Sequence, residues 1–423
     1  MYLKNLSWLA IEKVAKLLSM FITSIIISRT LGVSDFGQYS FVISITLILT
    51  PIVMFGFDEY YFQKFITVKS KKFEKKLLNI CLTIRIMFSI ILIITILVIY
   101  LVTKELIFLY LIMASIHFSF SSLNIFSIYN NSKLRSNLNA KVNVIVSIVF
   151  ILVRIMLWYE SSGISMFLLT YSFELILTGI LLYRTYHGKV SFEFDFIFIL
   201  KIYKKIFPLI LSSLAVVIYY KVDQMMLGFM VDFHSVGIYA VQAQLVLAVN
   251  LILQILINGT FPAWFENGKI QDKYLIGTYK ISLIFSILSI VISLSFSTEI
   301  ITFFWGESFS ESADILTITL FGTLFSGMGF IASKQMINLN LQYLRMKRII
   351  GGMIVNIILN LVLIPFYGVY GAAISTVVAN FYSGLLGNAI SKETRSVIIK
   401  QLLSFKLYKL DEIVVLIRRL KVG

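Results

Sequence analysis

The chain has 423 residues, 59% apolar and 14% charged, with a formal net charge of +16. A water-soluble domain is about 45–50% apolar, so a soluble catalytic domain is excluded as the main body. Cys81 is the one cysteine, which rules out an internal disulfide, and His117, His187 and His234 lie too far apart for metal-ligand spacing.

A membrane-crossing helix needs roughly 20 mostly apolar residues. About twelve stretches qualify, at 8–28, 37–57, 78–102, 106–129, 142–159, 163–183, 206–229, 236–258, 277–297, 313–337, 349–366 and 369–390. The first lacks a small-residue cleavage site and is followed by further spans, so it reads as an uncleaved anchor. No Gly-rich phosphate loop, nucleophile elbow or paired-carboxylate motif lies between the spans, and no cofactor is expected.

The basic residues set the orientation. They collect in alternate gaps: Lys64 to Lys76, Lys133 to Lys141, Arg184 to Lys205, Lys269 to Lys280 and Lys334 to Arg348. The other gaps hold Arg29 and Lys104, and the ninth is acidic, with Glu299, Glu307 and Glu311. Positive charge marks the cytoplasmic side, so both termini are expected in the cytoplasm of a multi-pass membrane protein. This placement fits helix orientation and contact with anionic membrane lipids, not nucleic acid. The tail, 391–423, mixes Leu, Ile and Val with Lys and Arg and is expected to form an amphipathic helix on the inner leaflet.

An internal repeat organises the spans. Phe36-Gly37-Gln38-Tyr39-Ser40 opens the second span, and Val236-Gly237-Ile238-Tyr239-Ala240 opens the eighth, 200 residues later. Six spans per half give two halves of one orientation, related by an axis along the membrane normal. The expected domains are an N-lobe over 1–190, a C-lobe over 191–390 and the tail.

Four segments carry a resemblance. Asn5-Leu6-Ser7-Trp8-Leu9 precedes the first span, and Ser28-Arg29-Thr30-Leu31-Gly32 with Phe36-Gly37-Gln38-Tyr39 follows it. Tyr220-Lys221-Val222-Asp223-Gln224-Met225-Met226-Leu227-Gly228 ends the seventh, and Pro365-Phe366-Tyr367-Gly368-Val369-Tyr370-Gly371-Ala372-Ala373-Ile374 joins the last two. This ordered set resembles the polysaccharide transport family, the O-antigen flippases of the multidrug/oligosaccharidyl-lipid/polysaccharide exporter superfamily. The resemblance implies an all-α integral membrane fold of two pseudo-symmetric six-helix lobes forming a V-shaped cavity. It implies alternating access driven by an ion gradient, with an undecaprenyl-pyrophosphate-linked oligosaccharide as cargo. It also implies assembly of a surface polysaccharide, O-antigen or capsule, beside a polymerase and a chain-length regulator.

An ionisable side chain within the bilayer costs about 2.5–3.5 kcal/mol on insertion scales and usually faces a bundle interior. Lys13 and Lys16 share a helix face with Met20 and Thr23. They are expected to bind the substrate pyrophosphate, or else to snorkel to headgroups beside Glu12. Arg85 and Arg154 are further substrate-binding candidates, because a guanidinium donates two parallel hydrogen bonds to phosphate. The competing role for each is structural pairing. Glu174 and His117 are candidates for ion coupling, against structural roles as an Arg-paired carboxylate and a packing residue. Arg29, Lys221 and Asp223 form a candidate gate, with Asp223 pairing to Arg29, against a capping role for Asp223.

Gly37, Gly237, Gly368 and Gly371 are expected to permit tight turns and close helix approach. Trp8, Trp158, Trp264 and Trp305 are expected at span ends as an aromatic belt. Competing functions are a multidrug or cation antiporter of the same architecture, a membrane-embedded polymerase or glycosyltransferase, and a non-transporting scaffold. The gaps between spans are too short for the chemistry of such an enzyme.

Overall fold

The computed structural model describes residues 2–54, 57–68, 70–266, 269–407 and 411–422. It is helical nearly throughout, and the strands described are a two-residue antiparallel pair, β1 (Phe265–Glu266) and β2 (Lys269–Ile270). The helices in chain order are α1 (Tyr2–Met54), α2 (Phe57–Thr67), α3 (Lys71–Thr103), α4 (Leu106–Ser115), α5 (Phe118–Ser121), α6 (Ile125–Ser132), α7 (Ser136–Tyr159) and α8 (Ile164–Arg184). They continue with α9 (Phe196–Met230), α10 (Phe233–Thr260), α11 (Asp272–Trp305), α12 (Ser312–Asn338), α13 (Gln342–Gly384), α14 (Arg395–Ser404) and α15 (Asp411–Val422).

Among the described residues, nine helical segments are long and apolar enough to cross a membrane. Two of them, α1 and α13, each carry two of the expected spans. Gly32, at φ 74°, interrupts α1, and Gly368, at φ 51°, interrupts α13. A side chain at either position would meet the steric penalty of the left-handed region, so glycine marks both junctions. Helix α9 carries the seventh span. The fourth runs through α4, α5, a short 3₁₀ turn and α6, and is less regular than its neighbours. Among the described residues, side-chain caps start three helices. At the head of α9, Asp195 Oδ1 accepts from the Phe198 amide at 2.9 Å. Ser70 Oγ accepts from the Phe73 amide at the head of α3, and Asp232 Oδ1 accepts from the Ser235 amide at 2.7 Å at the head of α10.

The chain divides into two compact units, Met1–Lys221 and Val222–Gly423. The division falls inside α9, beyond the 190/191 boundary expected from sequence, because 191–195 is bonded to α3. The Ser191 amide donates to Asn79 Oδ1 at 3.1 Å, the Glu193 amide to Thr83 Oγ1 at 2.9 Å, and Lys76 pairs with Asp195 at 2.8 Å. Phe198 and Ile210 of α9 pack on the first unit's core, built from Tyr61, Phe65, Leu78, Cys81, Ile84, Phe126 and Leu182. Cys81 is fully buried there, a small apolar core residue.

The second unit's core gathers Trp264, Tyr279, Leu283, Met328, Ile331 and Leu416. Two of the expected belt tryptophans are core residues instead. Trp264 is fully buried and donates Nε1–H to Thr278 Oγ1 at 2.8 Å, and Trp305 is also buried. Trp158 is exposed, as a belt residue should be.

The tail belongs to this second unit. Leu416 of α15 is buried, and Glu412 Oε2 takes a 2.8 Å ion pair from Lys280 of α11. The backbone of α15 passes so close to Gly277 that a Cβ there would overlap the Glu412 carbonyl. The amphipathic helix expected from the sequence is present, and its apolar side is partly used against the protein. Arg348 is likewise internal, donating to Asn388 Oδ1 at 3.1 Å, the Gly329 carbonyl at 3.0 Å and Ser333 Oγ at 2.6 Å. Both Lys280 and Arg348 read in sequence as orientation charges, and both instead tie helices together.

Candidate functional site

Arg154 lies in α7, where an apolar helix leaves it no water to reach. It is 1% exposed, so its charge must be met by other side chains. Nη2 donates to Glu174 Oε2 of α8 at 2.6 Å and Nη1 to Thr23 Oγ1 of α1 at 3.1 Å, while the guanidinium carbon lies 6.0 Å from the Phe150 ring centre. Tyr39, buried, and Tyr171, half-buried, lie within electrostatic reach of the same pair. His117 packs edge-on to Tyr171, with ring centres 5.4 Å apart, and its Nδ1–H donates to the Ala114 carbonyl at 2.6 Å. Three elements thus converge on one buried ion pair. Arg154 and Glu174, expected in separate roles, are partners.

Arg85, in α3, is 0% exposed, and its Nη2 is paired with Asp58 Oδ1 of α2. Its Nε and Nη1 are buried and have no hydrogen-bond partner. Nearer the start of α1, Lys13 and Lys16 are both exposed. Lys16 Nζ pairs with Glu12 at 3.0 Å, one helical turn away, and buried Glu12 also accepts from Asn143 Nδ2 of α7 at 3.0 Å. Asn143 begins a polar ladder that continues through Asn139, Asn130 and Thr185. Arg29 is exposed.

The second unit holds a node of a different kind. Asp223, in α9, is buried and seven residues short of that helix's end, so it does not cap it. Its Oδ1 accepts from Asn360 Nδ2 at 2.6 Å, and its Oδ2 accepts from Tyr239 Oη and Thr376 Oγ1, each at 2.6 Å. Each of these donors is neutral. Asn360 Oδ1 is buried without a partner, and Asn356 lies one turn away on the same face. Both Asp223 oxygens accept hydrogen bonds from within their own unit.

The repeat extends to these nodes. Thr23 and Asp223 are 200 residues apart, as are Tyr39 and Tyr239. In one half the threonine meets an Arg–Glu pair; in the other an aspartate takes its place and meets Asn and Thr. Among the described residues no group of three His, Cys, Asp or Glu side chains could hold a metal ion. Among the described residues, the Asp223 carboxylate could accept a proton or, with the oxygens of Asn360 and Thr376, a small hard cation. Buried Glu12 has in Oε2 an oxygen without a hydrogen-bond partner that could also take a proton.

Asp58, Asn143, Asn360 and Thr376 were not singled out from the sequence, and Tyr239 stood out only as part of the repeat motif. One signal was available for two of them: paired asparagines at i and i+4 within apolar helices, Asn139/Asn143 and Asn356/Asn360, mark one polar face each. Asp58 gave no such signal, since it falls at the edge of a span.

Helical segments of membrane-spanning length with buried ionic and polar nodes mark a polytopic membrane fold. The family described as "Polysaccharide biosynthesis protein" matches residues 2–268, and the chain belongs to it. Among solved structures, the lipid II flippase MurJ in an inward closed conformation aligns at 18% identity and TM-score 0.72, over 97% of this chain and 96% of that one. An inward-facing multidrug resistance MATE family transporter of the MOP superfamily aligns at 12% identity and TM-score 0.66, over 96% and 99%. A MOP superfamily transporter from Pyrococcus furiosus, described as having a binding pocket of reversed polarity, aligns at 12% and 0.57, over 94% of each chain. These likenesses establish the fold. A search of curated proteins finds no match.

Proposed function

We propose that the chain is a flippase that moves an undecaprenyl-diphosphate-linked oligosaccharide from the cytoplasmic to the periplasmic leaflet of the bacterial inner membrane, for O-antigen, lipopolysaccharide or capsule assembly. The observation that carries this reading is the pair of buried guanidinium groups, Arg85 and Arg154, in the first unit. An embedded arginine is costly, and the anionic lipid head is the chemistry that would use it. A diphosphate accepts the forked donors that arginine presents. Membership of a polysaccharide biosynthesis family and the lipid II flippase likeness support a lipid-linked glycan as cargo.

Alternating access driven by an ion gradient is the accompanying mechanism. Glu174 is balanced by Arg154, so adding a proton there would leave a buried cation without its counterion. Asp223 is held by neutral donors, so a proton or small cation would change its charge with no such loss. Asp223 is therefore the coupling group in this reading, with Arg29 and Lys221 as gate residues and His117 as a packing residue. A polymerase and a chain-length regulator are the expected downstream partners.

A multidrug antiporter is the second reading, favoured by the MATE likeness and by the buried carboxylate of Asp223. The two separate in a binding titration of the purified protein with undecaprenyl diphosphate and with tetraphenylphosphonium. Saturable binding of the diphosphate lipid alone supports the flippase. Binding of the lipophilic cation, with none of the diphosphate lipid, supports the antiporter and overturns this proposal.

A further inference from the structure

Arg85 and Asp58 form an asymmetric pair. The guanidinium is fully buried among Tyr61, Cys81 and neighbouring apolar side chains, whereas the Asp58 side chain is 54% exposed. A guanidinium carries five N–H donors, and Asp58 meets Nη2, leaving Nε and Nη1 buried and unpartnered. Buried donors without acceptors are rare in folded proteins and call for an explanation. The carboxylate sits on the open side of the pair. A carboxylate facing acyl chains would be costly, so the open side is a polar one. A carboxylate more than half open to its surroundings also holds an ion pair weakly.

We infer that Asp58 is a displaceable counterion, a carboxylate that occupies Arg85 in the unloaded protein and gives way to the diphosphate of the lipid substrate. The inference rests on the reading of Arg85 as a diphosphate-binding residue and adds Asp58 to it as a positioning residue. In the unloaded state Asp58 offsets a buried charge. In the loaded state the phosphate oxygens take Nη2 and reach one of the two donors Asp58 leaves unmet, so the guanidinium is better satisfied with substrate than without. Asp58, released, turns to its open side. Such an arrangement lets a buried cation be kept without trapping it on its own protein partner.

The test is a titration of detergent-purified protein with undecaprenyl diphosphate, with undecaprenol as the control lipid. It compares wild type with Asp58→Asn, Asp58→Ser, Asp58→Glu and Arg85→Ala, with melting curves to verify folding. Removing the competing carboxylate should tighten diphosphate binding about fivefold in both neutral variants, as expected for relief of a weak ion pair. Asp58→Glu, which keeps the charge, should bind as wild type does, and Arg85→Ala should lose the diphosphate preference. Unchanged or weaker binding by folded Asp58→Asn or Asp58→Ser, with Arg85→Ala still defective, overturns the displacement and leaves the functional reading standing. Should neither neutral variant fold, tighter binding by Asp58→Glu overturns it, and wild-type binding by Asp58→Glu with loss in Arg85→Ala supports it. Undiminished preference in Arg85→Ala overturns both the displacement and the role of Arg85.

Discussion

Removing Glu174 separates the structural contribution of the Arg154 pair from its contribution to transport. Glu174→Ala leaves Arg154, 1% exposed, with Thr23 as its remaining hydrogen-bond partner in the cluster. Breaking a buried pair by deleting one partner costs about 3–5 kcal/mol. The Glu174 side chain is 20% exposed and the Thr23 bond survives, so the lower end applies, about 3 kcal/mol. For a unit of this length, 1 kcal/mol moves the melting temperature by about 2–4 °C, which places the expected loss at about 6–12 °C. Replacing both partners by apolar residues of similar volume, Arg154→Met with Glu174→Leu, should restore stability to within about 1 kcal/mol, because no charge is left unpaired. Thermal melting in detergent reads the stability, and transbilayer movement of the lipid substrate reads the function. The expected pattern is a double variant that melts near wild type and does not transport. A double variant that transports normally would show Arg154 to be scaffolding, and a Glu174→Ala protein melting like wild type would refute the ion-pair argument.

Three further outcomes follow from contacts away from that cluster. Gly384→Ala should destabilise the second unit by more than about 2 kcal/mol, since a Cβ there would overlap the Phe325 carbonyl; a melting temperature equal to wild type would contradict it. Glu412→Ala should loosen the tail and lower the melting temperature, because Lys280, 1% exposed at its side chain, loses its carboxylate partner; limited proteolysis should then cut within 405–422 before the rest of the chain. Asp232→Ala should cost about 1 kcal/mol at neutral pH through loss of the α10 cap. The Ser235 amide holds the Asp232 carboxyl below its usual range, so this contribution is complete above the unfolded value of about 3.9 and fades as pH falls through the lower folded value. The difference between variant and wild type should therefore shrink in acid and not in base.

The span pattern was legible because it rests on length and hydropathy, which survive any packing. The junction at Gly32 was legible only as a short gap, whereas Gly368 was expected to permit a tight turn; that each is a single glycine of positive φ inside a longer helix emerges from the backbone. Partnership was the harder matter. Arg154 and Glu174 are each conspicuous as embedded charges, yet nothing in their spacing tells that α7 and α8 bring them together. Lys280 and Arg348 fit the orientation rule so well that their internal roles were hidden, since the same positive charge serves lipid contact and helix tethering equally. Asp223 was visible as an embedded acid, whereas its partners Asn360 and Thr376 come from a helix more than a hundred residues away. Trp264 and Trp305 illustrate the converse: position near a span end suggested a belt, and packing against neighbouring helices buried them.

The central claim is that the embedded arginines of the first unit recognise the diphosphate of a lipid-linked glycan. The measurement that tests it most directly is transbilayer movement in liposomes. A fluorescent undecaprenyl-diphosphate oligosaccharide is compared with the same glycolipid lacking phosphate, with and without an ion gradient, for wild type and Arg154→Met with Glu174→Leu. Gradient-stimulated movement of the diphosphate lipid is expected for wild type, with none of the phosphate-free lipid and none by the double variant. Equal movement of both lipids, or full movement of the diphosphate lipid by the double variant, would contradict the central claim.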